Sequence, residues 1–493
     1  MKHPLLLILF CLCIVSPLEA QRLGGVWGTS KAEEEFYPVR DLSIPPELAL
    51  EVGSFTLLPD GRLAIGTRRG EILLVSGAFD RRPKLRVQRF ASGLDEVFGL
   101  GYRDGAFYAT QQAEVTRIRD VDGDGRADVF DTLSDKWGFG NYHEFSWGSE
   151  PDPDGNIWVV LGLSNSYHYR ADFRGWSFKI TPDGKTIPIA SGIRSAGGVA
   201  PNEHGEMFYV ESQGPWNGSC SLKHLKPGGF MGHPISFEAY KAFPDLGPRP
   251  VEPKTPSRIH IEKKRVKELV PYAVIFPYRK MGQSISGFRV DRTGGKFGPF
   301  AGQIFVGDYS LSCIMRATTE KINGVWQGAC YPFREGLGTG LLAIQFSPEG
   351  YLVAGGTNRG WPVRGSRSFI LERLEWSGKV PFEIKRINIL PKGFALTFTR
   401  PVDPEVAADS SLYKLEHFTH IYHKFYGSPE VDQGAGKVVG VKVSPDGLVA
   451  NLELEGVVEG HVYEFDLSGI KSAAGRPLVH TRAYYTVNEI PNP

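Results

Sequence analysis

One arrangement of apolar and polar positions recurs over the first three-quarters of the chain: a short apolar strand, a turn of the Asp-Gly type, a second apolar strand, then a third. It reads "FTLLPDGRLAIGTRRGEILLV" from Phe55, "GLGYRDGAFYATQQAEVTRI" from Gly99 and "FSWGSEPDPDGNIWVVLGLS" from Phe145. Further copies are "GGVAPNEHGEMFYVESQ" from Gly197, "FGPFAGQIFVGDYSLSCIMRA" from Phe297 and "AIQFSPEGYLVAGGTNRGW" from Ala343. The turn glycines Gly61, Gly105, Gly155 and Gly205 are 44, 50 and 50 residues apart, and Gly302 to Gly350 is 48. That is the period of a propeller blade. One four-stranded unit cannot bury both of its faces, whereas several packed around an axis can, so the repeat predicts a closed ring of six blades.

The double-length interval between Gly205 and Gly302 holds the proline-rich, charged "FPDLGPRPVEPKTPSRIHIEKKRVKELV", which reads as an insertion at about 237–275 rather than as a seventh blade. After Pro381 the alternation continues without the propeller phrase, in "FEIKRINIL", "GFALTFTRPVD", "VVGVKVSPDGLVANLEL", "HVYEFDLSGI" and "RAYYTV". This spacing predicts an Ig-like β-sandwich. The expected organisation is all-β: a propeller over 21–377 and a sandwich over 378–493, hinged at Gly378 to Pro381. So short a hinge predicts that a chain ending near Ser377 folds alone.

Composition narrows the function. With 41% hydrophobic and 23% charged residues and a formal net charge of +1, the chain has no reason to seek a polyanion, and no basic run interleaved with aromatics points to nucleic acid. "MKHPLLLILFCLCIVSPLEAQ" reads as a signal peptide over 1–20, and no later stretch is apolar for long enough to span a bilayer. The expected location is therefore periplasmic or secreted. Of the cysteines beyond it, Cys313 and Cys330 flank a hairpin around "INGV"; either they are bridged, or they and Cys220 are buried thiols.

Two places carry candidate chemistry. "RDVDGDGRADVFDTL", residues 119–133, has the oxygen spacing of an EF-hand calcium loop but lies between a third and a fourth strand. Asp120, Asp122, Asp124, Asp128 and Asp131 repel one another unless a cation neutralises them, which predicts one structural calcium ion. The second place is the mouth of the ring. Innermost strands start there, and the loops joining second to third strands return to it. The register selects Asp95, Glu96, His143, Glu144, Arg194, Gln283 and Ser284 from the starts, and Arg68, Arg69, Gln111, Gln112, Asn165, Glu211, Gln213, Asp308, Asn358 and Arg359 from the loops. His417, His420 and His423 alternate faces along one strand, so surface or packing roles are expected of them.

At this mouth "NYHEFSWGSEPDPDGNIWV", "SGIRSAGGVAPNEHGEMFYVESQGPWNGSCSLKHLKPGGFMGHP" and "GKFGPFAGQIFVGDY" resemble the soluble quinoprotein glucose and sorbosone dehydrogenases over roughly residues 50–375. "GGTNRGWPVRGSRSFILERLEWSGKVPFEIK" and "FALTFTRPVDPEVAADSSLYKLEHF" are also similar to exported propeller-plus-Ig-like proteins of Planctomycetes and Verrucomicrobia. The resemblance implies a six-bladed propeller that uses pyrroloquinoline quinone with calcium. His143 falls where the family keeps its base, and imidazole suits that task because it titrates near neutrality. Arg194 matches the arginine that holds the quinone, with Gln213 and Arg359 as further cofactor contacts. Gly214 and Pro215 fall where backbone carbonyls ligate the cofactor's calcium. The family's acidic run is replaced by "WNGSC", and two of its arginines by Gly340 and Leu342, with Arg364 and Arg359 as nearby substitutes. Two functions stand: oxidation of a sugar or polyol by hydride transfer to the quinone, or non-catalytic binding of carbohydrate or of a partner protein such as an electron-accepting cytochrome.

Overall fold

The computed structural model describes residues 26–45, 47–163, 168–169 and 171–492; the signal-peptide segment and Asn165 lie outside the described residues. Six four-stranded blades surround one axis. Blade one is Val52–Leu57, Leu63–Thr67, Ile72–Ser76 and Arg86–Ala91; blade two is Gly99–Arg103, Ala106–Thr110, Val115–Arg119 and Val129–Ser134. Blade three is Ser146–Pro151, Ile157–Leu161, Trp176–Ile180 and Thr186–Ser191. Blade four is Ala196–Pro201, Met207–Glu211, Cys220–His224 and Val274–Phe276; blade five is Ile285–Val290, Ile304–Asp308, Cys313–Ile322 and Val325–Arg334. Blade six takes Leu341–Phe346, Tyr351–Thr357 and Phe369–Glu375 from one end of the chain and Val39–Asp41 from the other, with Val39 opposite Leu374. That strand closes the ring.

The innermost strands crowd the axis so closely that side chains have no room at some positions. A Cβ on Gly99 would meet the Gly148 carbonyl at 2.4 Å, and the two glycines pair, joining blades two and three. The long interval in the repeat is blade four itself: residues 225–273, with helices Glu238–Ala242 and Ile259–Arg265, separate its third strand from its fourth. Among the described residues no helix is long and apolar enough to cross a membrane.

The C-terminal strands are Ile384–Leu390, Gly393–Phe398, Lys414–His420, Glu430–Ala435, Val438–Val443, Val449–Leu454, Val462–Asp466 and Arg482–Thr486. One sheet has the order first, second, sixth, fifth; the other has eighth, seventh, third, fourth. That is the strand order of an immunoglobulin-like sandwich. Its eighth strand pairs with the outermost strand of blade five, Gly328 opposite Thr486 and Cys330 opposite Tyr484, so an eight-stranded sheet runs from the propeller axis into the sandwich. Tyr331 of the blade packs in the sandwich core, and Phe418, Val462 and Tyr484 of the sandwich pack in the blade's. This shared sheet runs against a propeller that folds alone when cut at Ser377.

A buried ionic hub strengthens the junction. His480 meets Glu383 at 2.6 Å through Nδ1 and Glu33 at 2.8 Å through Nε2, tying the sandwich to the linker and to the N-terminal segment. Burial alone would lower the His480 pKa; the two carboxylates outweigh it and push it up to about 9. Of the two alternatives for the cysteines, buried thiols rather than a Cys313–Cys330 bridge are found. The hairpin register sets Ala317 opposite Cys330, and all three described cysteines are buried free thiols.

Candidate functional site

The mouth is built from loops whose polar residues mostly hold one another. Asp308 accepts hydrogen bonds from the amides of Gln283, Ser284 and Leu311, and burial pushes its pKa up to about 6. Glu211 accepts from the Arg194 amide, the Tyr209 hydroxyl and Lys223 Nζ. Gln111 accepts from the Asp95 amide. These side chains fasten the start of one strand to the end of another and are committed to structure.

His143 sits on the loop entering blade three. Buried Arg174 anchors that loop by donating to the carbonyls of Gly138 and Gln112, while Gln112 donates to the Tyr142 carbonyl. The imidazole stacks on Trp361, ring centroids 4.9 Å apart at 21°, with Tyr142 on its flank. Its Nε2 is buried and has no hydrogen-bond partner within the protein. Burial first, and then the Arg68 charge, lower its pKa, so the ring is neutral at pH 7.

Beside it runs an ion-pair network across the seam between blades six and one. Arg68 Nη2 meets Glu96 at 2.8 Å, and Arg359 Nη1 meets Glu51 at 3.2 Å. Arg68 and Arg359 also donate to each other's carbonyls. Arg359, a candidate cofactor contact by sequence, is thus held to the rim, half-exposed.

Arg194 faces a different neighbourhood. It donates to the Gln213 carbonyl at 2.7 Å and lies against Gly214, where a Cβ would overlap its guanidinium. Tyr426, from the loop joining the third and fourth sandwich strands, covers it at 5.1 Å from ring centroid to Cζ. The same sandwich loop bridges Pro215 through Tyr426 and accepts the Trp216 amide on the His423 carbonyl. The Gly214 carbonyl accepts from two amides, Asn217 and Gly427, each at 3.1 Å, and Gln213 Nε2 donates to the Gly218 carbonyl.

These contacts bear on the quinone. A Cβ on Gly340 would meet the Tyr309 carbonyl and Val363 at 2.6 Å, and Leu342 is buried with Phe98, Trp147 and Tyr309. Gly340 has no room for a side chain without a shift of its neighbours, and Leu342 sits among apolar ones. With the Gly214 carbonyl engaged as well, the residues present do not fit the quinone–calcium grip that the resemblance implies.

The sequence reading missed an aromatic rim. Of the six exposed aromatic side chains among the described residues, five lie on these loops: Phe139, Tyr142, Trp361, Phe425 and Tyr426, the last three 55%, 62% and 59% exposed. Trp361 was within reach of the register, three positions after Asn358 on the same loop. Tyr426 was not, because the sandwich supplies it.

At the acidic loop, the ligand oxygens of Asp120, Asp122 and Asp124 lie within 4.8 Å of one another. Asp120 already accepts the amides of Gly123 and Gly125, while Asp122 and Asp124 each accept one amide on one oxygen. Asp128 accepts the Val121 amide. Asp131 is not brought to this group: it sits on the next strand between Arg117 and Arg119, which hold its pKa low.

Residues 84–274 match a family described as a domain of unknown function, DUF7133. No curated protein matches. Among solved structures, the chain is similar to an oxidoreductase (glucose dehydrogenase) of Thermus thermophilus, with 19% identity, TM-score 0.49, and 69% of this chain and 99% of that one covered. It is also similar to the quinone-bound aldose sugar dehydrogenase of Streptomyces coelicolor, with 16% identity, TM-score 0.47, and 69% and 98% covered. A third is the pyranose dehydrogenase quinone domain of Coprinopsis cinerea, with 11% identity, TM-score 0.46, and 69% and 95% covered. At these values the likeness carries no activity across, and the fold rests on the strand order itself.

Proposed function

We propose that this chain is an exported propeller whose mouth binds a carbohydrate or similar polyol without turning it over through a quinone. The observation that carries the reading is Trp361 stacked on His143, whose buried Nε2 lacks a partner, within a rim of exposed aromatics and arginine–carboxylate pairs. A sugar ring offers an apolar face and a belt of hydroxyls. Aromatic faces such as Trp361 and Tyr142 match the first, and neutral His143, Glu51 and Arg359 match the second.

The dehydrogenase is the second reading, favoured by the positions of His143 and Arg194. It would need the quinone to be held, and the engaged Gly214 carbonyl and the closed space at Gly340 oppose that. A partner protein such as a cytochrome is the other occupant of the non-catalytic reading; the carbohydrate is preferred because the rim sets exposed aromatic faces beside paired charges. Calorimetry with pyrroloquinoline quinone and calcium separates the two. No saturable binding up to high micromolar concentration, and no aldose-dependent dye reduction, is the expected result; dye reduction abolished by His143→Ala would overturn the proposal.

The acidic loop is read separately, as a site for one calcium ion held by Asp120, Asp122 and Asp124 with help from Asp128. It would pin the third strand of blade two to its fourth.

A further inference from the structure

His417 has a partner that its own strand does not reveal. Across the sandwich sheet its Nδ1 lies 2.9 Å from His461 Nδ1, with ring centroids 4.9 Å apart. A third imidazole, His260, arrives from helix Ile259–Arg265 of the blade-four insertion, its centroid 6.4 Å from that of His461. Three of the chain's twelve histidines thus meet where the insertion docks on the sandwich, a junction that Arg258–Asp432 and Lys263–Glu489 ion pairs also hold. Two glycines make room for the rings: a Cβ on Gly434 would overlap His417 Nε2, and one on Gly460 would overlap His260 Nδ1.

We propose that His260, His417 and His461 bind one divalent transition-metal ion of the zinc class, which staples the insertion to the sandwich. Two nitrogens bound tetrahedrally at 2.0–2.1 Å stand about 3.3 Å apart, so the His417–His461 pair has only to open by a few tenths of an ångström. The ion replaces the one proton shared between the two Nδ1 atoms, and that proton moves to Nε2 of the ring that carried it. His260 closes the third position by changing rotamer, since the ligand atoms of the three rings do not all lie within 4.8 Å of one another in this structure. Asp432 is the nearby carboxylate for a fourth ligand, at the expense of its pairing with Arg258.

The chemistry selects the ion. Imidazole suits zinc, copper and nickel, whereas calcium and magnesium require oxygen. Imidazoles must be neutral to ligate, so binding should weaken as the pH is lowered.

The test uses the full-length protein stripped of metal and titrated with zinc chloride by calorimetry, and with cobalt(II) by visible absorption. One equivalent should bind, raise the melting temperature and give cobalt bands of a nitrogen-ligated site. Loss even of outer-sphere partners costs metal sites 10–100-fold, so His417→Ala and His461→Ala should each weaken zinc by at least about a hundredfold. Asp122→Ala with Asp124→Ala should leave it unchanged. His260→Ala, on a helix surface, supplies a folded variant should the other two fail to fold. Absence of stoichiometric binding, or zinc affinity undiminished in every folded histidine variant, would overturn the proposal.

Discussion

Burial beside Arg68 keeps His143 neutral, and this fixes how ligand binding should respond to acid. Because its pKa lies below the usual 6.5, affinity for a polyol should persist to a lower pH than an ordinary imidazole would allow and fall as the pH drops through the lowered value. His143→Ala should cost about tenfold in affinity, the worth of one hydrogen bond, measured by calorimetry at pH 7. Loss of affinity already complete at pH 6.5 would contradict this role. His480 behaves in the opposite sense. Its pKa is raised to about 9 by Glu383 and Glu33 against the opposing effect of burial. The stability it contributes is therefore fully present below about pH 6.5 and is lost as pH rises through about 9, on the order of 3 kcal/mol. Melting curves from pH 6 to 10 should show that decline in the wild type, and His480→Gln should be less stable at neutral pH and much flatter with pH. At this scale the sequence disclosed the polar residues of the mouth through register. It did not disclose which aromatics stay exposed, since Trp361 and buried Trp147 look alike until the loops are placed.

The strand-turn-strand phrase is what made the blades legible as elements: each repeats the alternation, and each turn carries glycine at positive φ, as at Gly61 and Gly105. The closing strand Val39–Asp41 was not legible, because three residues carry no period. The acidic loop joins two of these strands, and its prediction is thermal. Chelation should lower the melting temperature of the wild type but not of Asp122→Ala with Asp124→Ala, and Asp131→Ala should leave the chelation effect intact because that carboxylate belongs to Arg117 and Arg119. Equal drops in the wild type and the double variant would remove calcium from the account.

Taken whole, the molecule is a ring of blades joined to a sandwich through one shared eight-stranded sheet. Cutting after Ser377 would bare the outermost strand of blade five where Gly328, Ala329 and Cys330 pair with the sandwich, and strip Phe418, Val462 and Tyr484 from its core. An unpaired apolar edge of this kind aggregates. The truncated chain should therefore be insoluble or molten by near-UV circular dichroism; a cooperative, soluble product would show the junction to be dispensable. The sandwich strands were legible by alternation, but their pairing with blade five was not, since nothing local marks an edge that will be shared. That junction also brings Tyr426 to Arg194, making the mouth a product of both domains. The measurement that bears most directly on the central claim is binding of neutral oligosaccharides, screened on a glycan array and then titrated against the wild type and Trp361→Ala. The account predicts a saturable carbohydrate ligand in the wild type and a loss of about 2 kcal/mol, roughly thirtyfold, in Trp361→Ala. Absence of any carbohydrate ligand, or one bound equally well without Trp361, would contradict it.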